Sequence, residues 1–150
     1  MDTTNKMALS ATLHCLTGCA VGEIAGLSLG LIFGWPGLLT LAVAVSLAFI
    51  IGYILSMIPL LKAGVPLKKA LVTVLAADTL SILTMEIVDN AVLFVIPGAM
   101  SAGLVNPWFW ATLAFALFVA FWAAFPVNRY LLSRGKGHAL VHHYHHGGVE

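Results

Sequence analysis

The sequence predicts an all-α integral membrane protein, a single four-helix bundle with both termini on the cytoplasmic side. Three observations carry that reading. First, of 150 residues 61% are hydrophobic and 9% are Asp, Glu, Lys or Arg, with a mean hydropathy of +1.01. A soluble domain carries roughly a quarter charged residues, so this composition argues against a cytosolic enzyme, a disordered chain and a nucleic-acid binder. The net charge of +1 gives no electrostatic footprint for DNA or RNA. Second, four apolar segments are each long enough to cross a bilayer, which takes about 20 helical residues. Third, the basic residues fall in three places that an even number of crossings puts on one side.

The first segment runs from about Met7 to Phe33 and stops at Gly34-Trp35-Pro36-Gly37, a turn of helix breakers. Lys6 resembles the basic start of a leader, but the apolar stretch is too long and Gly34-Trp35-Pro36 is a poor cleavage site, so a retained helix is expected. The second segment runs from about Leu38 to Leu61 and ends near Pro59 and Gly64. The third, about Leu67 to Ile96, is bounded by Pro66 and by Pro97-Gly98. It is the longest, which implies tilt or a first turn outside the hydrocarbon. The fourth runs from about Trp108 to Val127, with Pro107 placed to open it and Pro126 near its close. A polar tail over 129–150 carries most of the histidines. The gaps are short, so sequence neighbours should pack antiparallel in one domain.

The seven basic residues are Lys6, Lys62, Lys68, Lys69, Arg129, Arg134 and Lys136. They occupy the N-terminus, the second-to-third loop and the tail. The positive-inside rule makes that side cytoplasmic and puts Trp35, Trp108 and Trp110 at the outer interface.

Four of the six acids, Glu23, Asp78, Glu86 and Asp89, lie inside predicted membrane helices. Each costs at least about 2.5–3.5 kcal/mol near the bilayer centre on insertion scales. An ion or proton pathway, or a metal site, would account for them. Inter-helix hydrogen bonding by protonated carboxyls is the structural alternative. At about 100° per residue, Asp78, Ser81, Met85 and Asp89 share one face of the third helix, with Glu86 to one side and Asn90 further round. This stripe should face the bundle interior.

The first helix carries His14-Cys15-Leu16-Thr17-Gly18-Cys19-Ala20-Val21-Gly22-Glu23. Cys15, Cys19 and Glu23 follow at steps of four and stack on one face, with His14 adjacent. Two thiolates and an imidazole suit copper(I), zinc or mercury(II), and Asp78, Met85 or Met57 could complete such a site. Two buried thiols with a hydrogen-bonded histidine are the alternative, and a Cys15–Cys19 disulfide is disfavoured by the reducing cytosol. The polar stripes of the first and third helices climb in the same direction, so side by side they would form a ladder across the membrane.

Gly18, Gly22, Gly26, Gly30 and Gly34 recur every four residues on the first helix. Such rows let membrane helices approach closely. They serve either packing within one bundle, self-association or a tightly lined conduit. In the tail, His138 and His142 are four apart, as are His142 and His146. Helical neighbours of that kind can share a metal, and the tail could deliver ions or sense pH. A flexible polar end is the alternative.

The His14–Glu23 stretch and the stretch Pro126-Val127-Asn128-Arg129-Tyr130-Leu131-Leu132-Ser133-Arg134-Gly135-Lys136-Gly137-His138 together resemble the domain-of-unknown-function 4396 family of small prokaryotic integral membrane proteins. The resemblance covers essentially the whole chain. It implies a multi-helix domain of the prokaryotic inner membrane, in some members joined to heavy-metal-associated or copper-handling modules, which points to a metal-carrier protein as a partner. It implies no established activity.

The leading functional expectation is a non-enzymatic membrane protein that binds or transports a metal cation, foremost copper, with zinc the other candidate and no organic cofactor. His14, Cys15, Cys19, Glu23 and Met85 would hold the ion. Asp78, Glu86 and Asp89 would form its pathway, and His138 and His142 would recruit or release it. No P-loop is present, so transport would be passive or gradient-driven. A proton or cation channel on the acidic stripe and a structural subunit with the glycine row as interface are the alternatives. Four short helices enclose little space, so a homo-oligomer in the lipid bilayer is expected.

Overall fold

The computed structural model describes residues 3–134, which form four helices in antiparallel succession: α1 (Thr3–Phe33), α2 (Gly37–Lys62), α3 (Leu67–Val95) and α4 (Pro107–Ser133). They are 31, 26, 29 and 27 residues long. At about 1.5 Å rise per residue all exceed the ~30 Å hydrocarbon core, and all are apolar enough to cross it. The chain is a multi-pass membrane protein.

The helix ends follow from local chemistry. Gly34 (φ 64°) ends α1, and the Trp35 N–H donates to the Gly30 carbonyl at 2.9 Å. Gly64 (φ 79°) ends α2, with Val65 N–H bonded to Leu60 and its own N–H to Leu61. Both are turns that need a left-handed residue and return orphan carbonyls to a donor. At the start of α4, the Asn106 side chain accepts from Trp108 N–H at 3.0 Å, with Pro107 in the first turn where no N–H is needed.

Two expectations are corrected. The fourth helix does not close near Pro126; it continues to Ser133, so the polar tail begins later than residue 129. Pro126 removes one backbone hydrogen bond, but Asn128, Leu131 and Leu132 beyond it are buried and hold the last turns in place. Gly34 is not a packing glycine either. A β-carbon there would meet open space, and its function is the turn.

The bundle is packed inside out relative to a soluble one. Its interior is built from small residues: Ala8, Ala11, Ala44, Ala48, Ala70, Ala116, Ala120 and Ala124 are buried with both cysteines. Large apolar side chains such as Ile32, Leu38, Phe94, Val95, Phe118 and Trp122 point outward. Small interiors let backbones approach, and lipid solvates the large side chains. The starts of α1 and α3 and the ends of α2 and α4 share one end, where Lys6, Lys62, Lys68, Lys69, Arg129 and Arg134 lie. The α1–α2 turn and the α3–α4 loop share the other.

Candidate functional site

Helix α1 presents one face to α2 and another to α3, and the two are chemically unlike. Toward α2, a β-carbon added at Gly18, Gly22, Gly26 or Gly30 would overlap Gly52, Ala48, Ala44 or Thr40 respectively. The pairing is antiparallel and keeps one register for four successive turns. On α2, Thr40, Ala44, Ala48, Gly52, Ser56 and Leu60 are all buried at steps of four. The glycine row is therefore consumed within the bundle.

Toward α3, α1 presents Cys15, Cys19 and Glu23. Cys15 lies against Ser81 and close to Asp78. Cys19 faces Glu86. Glu23 faces Asp89, with Glu86 nearby. The two helices run parallel here, so the contacts climb together as a ladder. Glu23, Asp78, Glu86 and Asp89 are each at most 5% exposed, so the predicted interior stripe is found, and Glu86 belongs to it rather than to one side. The Asn90 amide holds Glu86, donating to its backbone carbonyl at 2.9 Å and its carboxyl at 3.4 Å. Several carboxyl oxygens have no donor: Glu23 Oε2, Glu86 Oε1 and both of Asp89.

No Lys or Arg occurs between Lys6 and Lys62 or between Lys69 and Arg129. No Lys or Arg of these helices therefore lies at the depth of Glu23, Glu86 and Asp89. An unpaired buried carboxylate is costly, and protonation or a bound cation would lower that cost.

Cys15, Cys19 and Met85 pack in one buried cluster with Ala48, Ile82, Ala120 and Ala124. Both thiols are free, so the disfavoured disulfide is absent. His14 is half-buried, with Nδ1 2.8 Å from the Ser10 carbonyl. Among the described residues no group of three or more His, Cys, Asp or Glu side chains converges as a metal site would require. The sulfur cluster has three soft donors only if Met85 is included. His138 and His142 lie outside the described residues.

The seam meets different surroundings at its two ends. Toward the loop end it meets a cavity of about 250 Å³, lined by Glu23, Asn90, Thr40, Trp35, Phe109 and Leu104 among others. Trp108 and Trp110 fasten the α3–α4 loop beside it, donating to the Pro97 and Leu104 carbonyls at 3.2 and 2.8 Å. Toward the basic end, one turn before Cys15, the buried Asn128 amide of α4 donates to Thr12 Oγ1 at 2.9 Å. Thr12 in turn donates to the Ala8 carbonyl.

The α2 row, the matching α4 row of Thr112, Ala116, Ala120, Ala124 and Asn128 and the Thr12–Asn128 link were not singled out from the sequence. The four-residue spacing of small residues on α2 and α4 was a readable signal for both rows. The link was not readable, because it joins residues 116 positions apart.

The sequence matches the family described as domain of unknown function (DUF4396) over residues 4–137. No curated protein and no solved structure matches it.

Proposed function

We propose that this chain, which belongs to the DUF4396 family, passes a cation across the bilayer along the α1–α3 seam, in the first place a proton. The observation that carries this is the ladder itself: Glu23 beside Asp89, Cys19 beside Glu86 and Cys15 beside Ser81 along two parallel helices, with no Lys or Arg between Lys6 and Lys62 or between Lys69 and Arg129. Ionisable groups within membrane helices mark ion paths and proton relays by default. Two acceptor-only carboxylates in contact need a donor, and one shared proton supplies it. Transfer then exchanges one O–H or S–H bond for another between neighbouring groups. The cavity gives access to Glu23 at the loop end, and breaking the Thr12–Asn128 hydrogen bond would open the other. The reading is a channel or carrier, not an enzyme. With the basic end cytoplasmic, the cavity faces outward. The inner membrane of a prokaryote is the location that fits.

In liposomes holding a pH-sensitive dye, a membrane potential should drive proton entry well above that in protein-free vesicles. Entry equal to that in empty vesicles would overturn the reading.

A second reading draws on the sulfur cluster. Cys15, Cys19 and Met85 would bind copper, or less favourably zinc, with Glu23 and Glu86 balancing its charge. Histidines of the tail would exchange the ion with a carrier protein. Elemental analysis should then find one copper per chain, lost in the C15S/C19S double variant. An assembly subunit built on the glycine row is the third reading, although Gly18, Gly22, Gly26 and Gly30 already pack on α2.

A further inference from the structure

The cavity at the loop end is not required to be more than a water-filled entrance, yet its chemistry is more selective than that. Its walls come from α1, α2, α3, α4 and the α3–α4 loop, and most of the lining is apolar, including Leu27, Leu41 and Leu93. Two aromatic rings, Trp35 and Phe109, contribute to it. Among the described residues no Lys, Arg or His lines it. Among the described residues Glu23 is its only ionisable lining residue. That side chain is 95% buried, and its Oε2 has no hydrogen-bond partner.

Each feature excludes a class of ligand. A single carboxyl among apolar walls repels anions. A bare metal ion needs several oxygen or sulfur donors, and this cavity offers one carboxyl with scattered hydroxyl and amide groups. A neutral apolar molecule offers the Glu23 carboxyl neither a donor nor a counter-charge, and a buried carboxyl without either is costly. A cation with an apolar body satisfies the carboxyl and wets the walls, and aromatic faces attract alkylammonium groups within about 6 Å. At about 30 Å³ for each water-sized group, the volume holds roughly eight such groups.

We infer that this cavity is a binding site for a small organic ammonium ion, an alkylated amine whose cationic centre meets Glu23 and whose alkyl groups meet the surrounding leucines and aromatic rings. The inference does not rest on proton passage. It needs the cavity and one carboxyl, and no path beyond them.

Titration calorimetry of the full chain in detergent tests it, with triethylammonium as the probe and neutral triethylcarbinol, of nearly the same shape, as the comparator. Triethylammonium should bind saturably at one site per chain, and triethylcarbinol at least about tenfold more weakly. Glu23→Gln should weaken triethylammonium at least about tenfold. Ala102→Trp fills the cavity from the loop while leaving Glu23 unchanged and should weaken it comparably, which guards against a folding defect in the first variant. Equal binding of the two probes, or triethylammonium affinity unchanged in a folded Glu23→Gln or in Ala102→Trp, would overturn the site. Because this is an equilibrium measurement, its failure leaves the flux result standing, and the reverse also holds.

Discussion

One helix, two seams: the α1–α2 contact and the α1–α3 contact lie on different faces of the same 31 residues. The first is made of glycine, alanine and a threonine, with backbone against backbone and no room for a β-carbon. The second is made of thiols and carboxyls, several of whose oxygens lack a donor. Close packing of small residues is how membrane helices associate without a hydrophobic drive. Unsatisfied buried carboxyls do the opposite for stability. The α1–α2 seam therefore holds the fold, and the α1–α3 seam is maintained at a cost in stability.

Substitutions that exchange these characters break the comparison most strongly. Gly22→Leu should have the largest effect. Its side chain would enter the backbone of Ala48, where nothing can yield. The loss should reach or exceed the ~3 kcal/mol upper end of ordinary overpacking, seen as loss of a monodisperse peak and of a cooperative melt. On the polar seam the sign reverses. Replacing buried charged groups by apolar ones of similar size is often neutral or stabilising by about 1–4 kcal/mol. Glu23→Met with Asp89→Leu should thus melt no lower than the parent protein, while proton entry is lost. Asn128→Ala sharpens the picture at the basic end. It removes one buried inter-helix hydrogen bond, of the kind that averages about 0.6 kcal/mol in membranes. The melting temperature should fall slightly while proton entry rises, as the closed end opens. The smallest effect on stability belongs to Cys15→Ser with Cys19→Ser, which keeps the size of both side chains. The fold should persist, and elemental analysis before and after separates a sulfur-bound metal from a proton path.

How much of this was readable beforehand follows the same division. Composition and Gly/Pro punctuation gave four spans because those signals are local. The end of α4 was misplaced because Pro126 is a local stop signal overruled by burial of Asn128, Leu131 and Leu132 against other helices. The glycine row announced close contact, but its partner depended on register with α2, and only the structure pairs Gly22 with Ala48. The acids of α3 were legible as a stripe because helical spacing is intrinsic to the segment. Their apposition to Cys19 and Glu23 was an inference from parallel direction, and it agrees with the packing seen. His14 is next to Cys15 in sequence but lies about 100° round the helix from it, with Nδ1 at the Ser10 carbonyl.

The central claim is that the α1–α3 seam carries protons rather than holding the bundle together. Proton entry into liposomes with Glu86→Gln tests it most directly, because Glu86 joins the thiol and carboxyl halves of the ladder and its amide replacement keeps the shape. The rate should fall at least about tenfold, or 1.4 kcal/mol in barrier, with an unchanged melting temperature. Undiminished entry through folded Glu86→Gln protein would contradict it.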